Sequence, residues 1–400
     1  MDLETLSALS IPSTSKIVMF VIDGLGGLPF EDGGMTELER AKTPNLDALA
    51  RHSICGMIDL VAPGITPGSG PGHLALFGYD PLKYQIGRGV LEALGIDLEL
   101  DPRDVAARGN FCTIDDKGLI TDRRAGRIST DKCRELCLLL EKIELEGTEL
   151  FVRPVKEHRF VVVFRGEDLR DELTESDPQQ IGHPPLRVEP RIPEASRTAR
   201  IVNSFIDQGR SLLAESRPAN MVLLRGFSRH PRLPTLPRLF GIRAAAIATY
   251  PMYRGLAKLV GMEVLPTGPD ISDEFKALTE NFKGYDFFYL HTKRTDSLGE
   301  DGDFEGKVKG IEEVDGYIPS LLALNPEVVV VTGDHSTPAA LKSHSWHPVP
   351  LLIYSKWCRP DSVKEFSEKA CTAGALGRLP AVQILPLALA NALRLTKFGA

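Results

Sequence analysis

Two short apolar runs, residues 16–23 and 328–332, carry no polar side chain between their ends, and each stops on an acid: Asp23-Gly24 after the first and Gly333-Asp334-His335 after the second. A run without alternation is buried on both faces, as a strand inside a parallel sheet is. Between and around them strands alternate with helices. Thr43 can cap a helix that Pro44 opens and that runs to about residue 52. Residues 54–61 read as a second strand. Residues 62–72 hold Pro63, Gly64, Pro67, Gly68, Gly70, Pro71 and Gly72, and read as a loop with neither helix nor strand. After Pro237 the pattern returns, with strands at 244–249, 285–291, 328–332 and 349–354 and helices at 252–261, 306–324 and 386–393. Strands spaced by helices imply a parallel sheet with helices on both faces.

The middle of the chain is different. It offers a short strand at 160–164, a helix near 131–142 and stretches rich in Pro and Arg such as 176–193. With 400 residues the chain exceeds one ordinary core, so about two domains are expected. The predicted layout is one α/β domain built from both ends, residues 1–77 and 238–400, interrupted by an inserted domain at 78–237.

A net charge of −7 excludes a general affinity for nucleic acid, so any handling of phosphate needs positive charge concentrated locally. The six cysteines form no C-x-x-C pair. Cys133 and Cys137 would share a helix face as small core residues, which fits a reducing cytosol. The N-terminus has no basic start, and the apolar run at 17–22 is too short for a signal core or a membrane span. A cytoplasmic protein with no membrane partner is expected; oligomeric state is not legible.

In an open parallel sheet, ligands bind beyond the carboxyl ends of the strands. Asp23, Ser69, His291, Asp296, Asp334 and His335 end or follow strands, and His344 lies just before the strand at 349–354. Carboxylates and neutral imidazoles together suit Mn²⁺ or Zn²⁺. Asp23, Asp334 and His335 would hold one ion; Asp296, His344 and an acid near 300 would hold a second. Two ions ~4 Å apart clamp the oxygens of an in-line phosphoryl transfer, and Ser69 beside one of them becomes a usable nucleophile. Singly, each residue has a plainer reading: Asp23-Gly24 as a turn, Asp334-His335 as a cap, Ser69 as a loop serine, His73 as a core histidine. Their coincidence at the ends of one sheet carries the metal reading. Two arginine clusters, 122–127 and 225–229, supply the local positive charge that grips carboxylate or phosphate.

The motifs Phe20-Val21-Ile22-Asp23-Gly24, Pro67-Gly68-Ser69 with residues 73–81, Lys293-Arg294-Thr295-Asp296, residues 332–338, and His344 with Pro348-Val349-Pro350 occur in one order. With them the chain resembles the archaeal-type, cofactor-independent (2,3-bisphosphoglycerate-independent) phosphoglycerate mutases of the alkaline phosphatase superfamily. Residues 122–127 and Leu224-Arg225-Gly226 are similar to that family too. The resemblance implies an α/β, alkaline-phosphatase-like, doubly wound and mostly parallel sheet with a smaller inserted α+β domain. It implies an isomerase of glycolysis and gluconeogenesis. Ser69 would take the phosphoryl group of 3-phosphoglycerate and return it to the other hydroxyl, through a phosphoserine. Two divalent ions would serve it, Mn²⁺ first, with Zn²⁺, Co²⁺ or Mg²⁺ as alternatives. Asp23, Ser69, Asp334 and His335 match the ligands of one ion, and Asp296 and His344 match ligands of the other. Arg123, Arg124, Arg127, Arg225, Lys293 and His73 match substrate-binding positions, and Asp122 is the candidate for proton transfer to glycerate.

One position departs. The family pattern reads Thr-Asp-x-x-Gly-His-Asp-Gly, whereas this chain has Thr295-Asp296-Ser297-Leu298-Gly299-Glu300-Asp301-Gly302. Glu300 stands at a usual histidine ligand and hardens the second site toward oxygen-preferring ions. A metal-dependent phosphatase, another phosphomutase on the same scaffold, or a catalytically silent homologue are the alternatives.

Overall fold

A computed structural model describes residues 2–31 and 33–399. The chain divides into two compact units, Met1–Gln85 with Leu233–Ala400, and Ile86–Arg232. The sequence placed the breaks after residues 77 and 237. The first break falls later because Tyr79 is fully buried in the first unit, where its hydroxyl donates to the Pro234 carbonyl at 2.6 Å.

In chain order the strands are β1 (Ile17–Ile22), β2 (Ser53–Asp59), β3 (Asp104–Ile114), β4 (Ile120–Asp122), β5 (Glu149–Lys156), β6 (Arg159–Arg165), β7 (Met221–Ser228), β8 (Ala244–Ile247), β9 (Glu263–Val264), β10 (Phe287–Thr292), β11 (Val328–Thr332), β12 (Val349–Ser355) and β13 (Gly377–Pro380). The first unit holds an eight-stranded sheet in the order β13-β2-β12-β11-β1-β10-β8-β9. β1 lies between β10 and β11, parallel to both. Every residue of β1 and β11 is fully buried, so both faces of the sheet centre are covered.

Among the described residues of this sheet only β12 runs against its neighbours, antiparallel to both β11 and β2. No helix connects β11 to β12. Without a crossover the chain can return only antiparallel. The consequence is functional. β12 begins at the edge where β11 ends, so the connecting loop keeps Asp334, His335 and His344 together.

Two local expectations are corrected. The segment expected to be a loop through residue 72 becomes a helix at Ser69–Leu76. Gly70 and Pro71 lie in its first turn, where amide donors have no intrahelical partner and a proline removes nothing. Thr43 makes no capping bond to the helix Pro44–Ala50. Asp315, from the helix Phe304–Ala323, does so instead, accepting from the amides of Asn45 (3.1 Å) and Leu46 (2.7 Å).

The second unit has its own sheet. β3 pairs antiparallel with β4, β6 and β7, and β5 with β6. Phe111, Phe160, Phe164 and Phe205 pack in its core with Cys133 and Cys137, and all six cysteines are free. β3, β7 and the helix Ser196–Leu212 have no counterpart in the sequence reading. β3 reads Asp-Val-Ala-Ala-Arg-Gly-Asn-Phe-Cys-Thr-Ile, small and polar for a strand, and gains its burial from tertiary neighbours.

Candidate active site

Asp23 follows β1, Asp296 lies in the helix Arg294–Asp301 after β10, and Asp334-His335 follow β11. Since these strands are parallel, the side chains emerge at one edge. Ser69 opens the helix Ser69–Leu76. That helix comes close to β11 because Gly72 lacks a side chain: a Cβ there would lie 2.1 Å from the Asp334 carbonyl oxygen.

The two oxygens of the fully buried Asp23 carboxylate have unlike surroundings. Oδ2 accepts from the Tyr253 hydroxyl at 2.5 Å and lies 3.1 Å from both His291 Nε2 and Lys293 Nζ. Among the described residues Oδ1 has no hydrogen-bond donor, and neither has Asp334 Oδ2. Both of these oxygens face His335 Nε2, at 3.3 and 3.1 Å, without hydrogen-bond alignment. Ser69 Oγ lies 3.2 Å from the same nitrogen. Burial and Asp334 push the Asp23 pKa up, but Lys293 and His291 bring it below the ordinary value. Asp334 is likewise held low, by His335 and His73 against burial. Burial would lower His335, yet Asp334 and the neighbouring carboxylates raise it to about 9.

Asp23, Asp334 and His335 thus form one group with the reach of metal ligands, and Asp296, His335 and His344 form a second. Residue chemistry decides how His335 is shared. The Thr337 hydroxyl donates to Asp296 Oδ1 at 2.6 Å, so at 2.9 Å its oxygen accepts from His335 Nδ1–H. Nδ1 is therefore occupied, and Nε2 serves the Asp23–Asp334 group. His344 Nδ1–H donates to the Pro67 carbonyl at 3.0 Å, leaving the Nε2 lone pair 3.6 Å from Asp296 Oδ1 and 3.9 Å from Glu300 Oε1. Burial and His335 lower the His344 pKa, which favours the neutral ring that a metal ligand needs. Glu300 is more than half exposed and, at 3.9 Å from His344, stands beside the second group without belonging to it.

These residues fit divalent ions. Buried carboxylate oxygens without donors are costly, and a cation beside His335 Nε2 would satisfy both Asp23 Oδ1 and Asp334 Oδ2. His347, near in sequence, joins neither group among the described residues; its Nδ1 meets Ser345 Oγ at 3.0 Å.

Other expected residues are placed as follows. Lys293 Nζ bridges Asp23 and Asp296, and these carboxylates raise its pKa against the effect of burial. His73 requires a correction. It is fully buried, its Nδ1–H donates to the Ser69 carbonyl at 2.8 Å, and burial lowers its pKa to about 4. Although Nδ1 is only 3.3 Å from Asp334 Oδ2, the ring is neutral at pH 7 and supports Ser69 from below rather than facing a substrate.

In the second unit, Arg123 grips Asp177 with two bonds of 3.1 and 2.7 Å, and Arg225 lies 3.9 Å from the same carboxylate. Asp122 accepts from the amides of Arg124 (2.7 Å) and Gly126 (2.6 Å), which shapes the loop holding the exposed Arg124 and Arg127. The sequence reading assigned no role to Tyr253 or Thr337, and it counted His291 in the strand-end metal-ligand set without giving it to either ion. His291 had a signal, its place at a strand end. Tyr253, 230 residues from Asp23, had none.

A mostly parallel sheet carrying two candidate metal-binding carboxylate–imidazole groups beside a buried serine has the make-up of an α/β enzyme. A family model described as 2,3-bisphosphoglycerate-independent phosphoglycerate mutase matches residues 50–220. A Thermotoga sp. (strain RQ2) protein named as a probable 2,3-bisphosphoglycerate-independent phosphoglycerate mutase is 54% identical over 399 residues, 99% of each chain. A solved Pyrococcus horikoshii protein is 30% identical with a TM-score of 0.83, over 96% of this chain and 99% of that one. The cofactor-independent phosphoglycerate mutase of Thermoplasma acidophilum is 30% identical with a TM-score of 0.72, over 94% of this chain and 100% of that one. The chain belongs to the 2,3-bisphosphoglycerate-independent phosphoglycerate mutase family, whose members are isomerases acting as intramolecular phosphotransferases.

Proposed function

We propose that this chain interconverts 3-phosphoglycerate and 2-phosphoglycerate without a bisphosphoglycerate cofactor, with Ser69 Oγ holding the phosphoryl group between two transfers. The observation that carries this reading is the convergence of Ser69 Oγ, Asp23 Oδ1 and Asp334 Oδ2 on His335 Nε2 within 3.3 Å. Asp23, Asp334, His335 and Ser69 would hold one divalent ion, and Asp296, His344 and Glu300 a second. Such ions lower the pKa of a bound hydroxyl and neutralise phosphoryl charge, with Mn²⁺ the first choice and Zn²⁺, Co²⁺ and Mg²⁺ the alternatives.

The chain's own residues do the rest. Ser69 Oγ loses its proton and bonds to phosphorus as the O3–P bond breaks. The leaving glycerate oxygen takes a proton, for which Asp122 is the candidate carrier. The 2-hydroxyl then gives its proton back to that carrier and bonds to phosphorus, the Ser69 Oγ–P bond breaks, and Ser69 Oγ takes up from solvent the proton it first released there, which restores the serine. Ser69 sits at the N-terminus of its helix, where the dipole favours the anionic phosphoryl group. Lys293, placed between two carboxylates, keeps its charge beside the reacting group. Arg123, Arg124, Arg127 and Arg225 would take the carboxylate and phosphate of the substrate, which makes Ile86–Arg232 the substrate-binding unit and the remainder the metal-binding catalytic one. We place the reaction in cytoplasmic glycolysis and gluconeogenesis; among the described residues no helix is long and apolar enough to cross a membrane.

The test is 3-phosphoglycerate conversion with no bisphosphoglycerate present, coupled to enolase, with Mn²⁺, Co²⁺, Zn²⁺ or Mg²⁺ added in turn and free phosphate measured alongside. The expected result is 2-phosphoglycerate with at least one ion, lost on chelation. Phosphate release without 2-phosphoglycerate would make the protein a phosphatase.

A further inference from the structure

Lys307 and Glu37 are fully buried, yet neither belongs to the groups described above. Lys307 projects from the helix Phe304–Ala323 and donates to the carbonyls of Gly26 (3.0 Å) and Thr337 (2.8 Å). Glu37 Oε1 lies 3.8 Å from its ammonium. Glu37 in turn accepts from the amides of Leu28 (3.1 Å) and Ala339 (2.7 Å). The pair therefore takes one carbonyl and one amide from the backbone just after Asp23, and one carbonyl and one amide from the backbone just after His335. The two segments also touch directly, through the Thr337 amide to the Gly26 carbonyl at 3.0 Å. The fit leaves no slack: a Cβ on Gly27 would lie 1.9 Å from Glu37 Oε2.

We propose that Lys307 is a positioning residue for the candidate metal centre: with Glu37 it clamps the segments 26–28 and 337–339 together and so sets the spacing of Asp23 from Asp334 and His335. The clamp reaches the second group as well. Lys307 holds the Thr337 carbonyl, and the Thr337 hydroxyl donates to Asp296 while accepting from His335. Desolvating both charges is costly, and an apolar pair would fill the space at lower cost. An apolar pair has no donors or acceptors for the four backbone groups, which lie where a small displacement moves a ligand. With no exposed surface, Lys307 cannot touch substrate, so its effect must pass through the ligands.

This inference rests on the reading that the carboxylate–imidazole groups bind cations, and the experiment separates the two. The full-length protein is stripped of metal, and Mn²⁺ binding is measured by calorimetry for wild type, Lys307→Met, Glu37→Gln and Asp334→Asn, with metal-free melting temperatures recorded in parallel. Wild type is expected to bind Mn²⁺, Asp334→Asn to lose the site, and Lys307→Met to weaken binding by about 10–100-fold, the usual effect of removing a residue that holds ligands in place. Glu37→Gln, isosteric and without its charge, is expected to shift affinity in the same direction and decides the matter if Lys307→Met does not fold. Lower melting temperatures with unchanged Mn²⁺ affinity would overturn the clamp and leave a packing role. A wild type that binds no Mn²⁺, or binds it no better than Asp334→Asn, would overturn the metal centre and the clamp with it.

Discussion

Asp23 carries three potential donors on Oδ2 and none on Oδ1. The asymmetry orients the carboxylate: Tyr253, His291 and Lys293 fix one oxygen so that the other points at His335. His335 is oriented in the same way, through Thr337 on Nδ1. Such arrangements are invisible in a sequence, because Tyr253 meets Asp23 only through the fold. The candidate ligands are legible, because Asp23, Asp296, Asp334 and His335 follow strand ends. Glu300 stands where the resemblance implies a histidine, and as a ligand its oxygen would make the second group harder. Glu300→His is therefore expected to move the preference of the enzyme from Mn²⁺ or Mg²⁺ toward Zn²⁺ or Co²⁺. Activity across the four ions measures this, and an unchanged order of preference would remove Glu300 from the ligand set.

At the scale of elements, the helix Ser69–Leu76 shows how tertiary contact overrides local signals. Its Gly-Pro-Gly start reads as a loop, yet Gly72 is what lets the helix lie against Asp334. Gly72→Ala is expected to destabilise the protein by about 1–3 kcal/mol through overpacking against backbone. Activity should fall with it as Asp334 is displaced. Thermal unfolding and turnover check this, and a variant with wild-type values in both would contradict the packing.

The helix Ile271–Asn281 holds a different kind of strain. Glu274 is 2% exposed, its Oε2 has no partner, and burial, with Asp273 and Asp270, raises its pKa from 4.5 to about 8. Between those values the folded protein keeps a proton that the unfolded chain has released, so the stability from this group is full below pH 4.5 and is lost as pH rises through 8. Glu274→Gln should remove that slope. Its stability relative to wild type should rise by on the order of 4 kcal/mol between pH 5 and pH 8, measured by chemical denaturation. Parallel pH profiles would contradict it.

Across the whole molecule, the broad plan follows from the alternation of apolar runs and helices at the two chain ends. Inside the insert only the helix near 131–142 and the strand at 160–164 are legible, and the structure has them at Thr130–Leu140 and Arg159–Arg165. β3, β7 and the helix Ser196–Leu212 combine small, polar and arginine residues whose burial depends on one another rather than on local pattern. The reversal of β12 was likewise hidden, since an apolar strand reads alike in either direction. It is nonetheless the feature that brings His344 to the edge where Asp23, Asp296 and Asp334 emerge.

The account stands on Ser69 as the residue that carries the phosphoryl group. The direct measurement is mass spectrometry of the Ser69 peptide from enzyme quenched in acid while turning over 3-phosphoglycerate with its metal. The wild type should show phosphate on Ser69, and Ser69→Ala should show none and lose at least about a thousandfold in rate. Ser69→Ala forming 2-phosphoglycerate at the wild-type rate, or a turning-over wild type with Ser69 never phosphorylated, would contradict it.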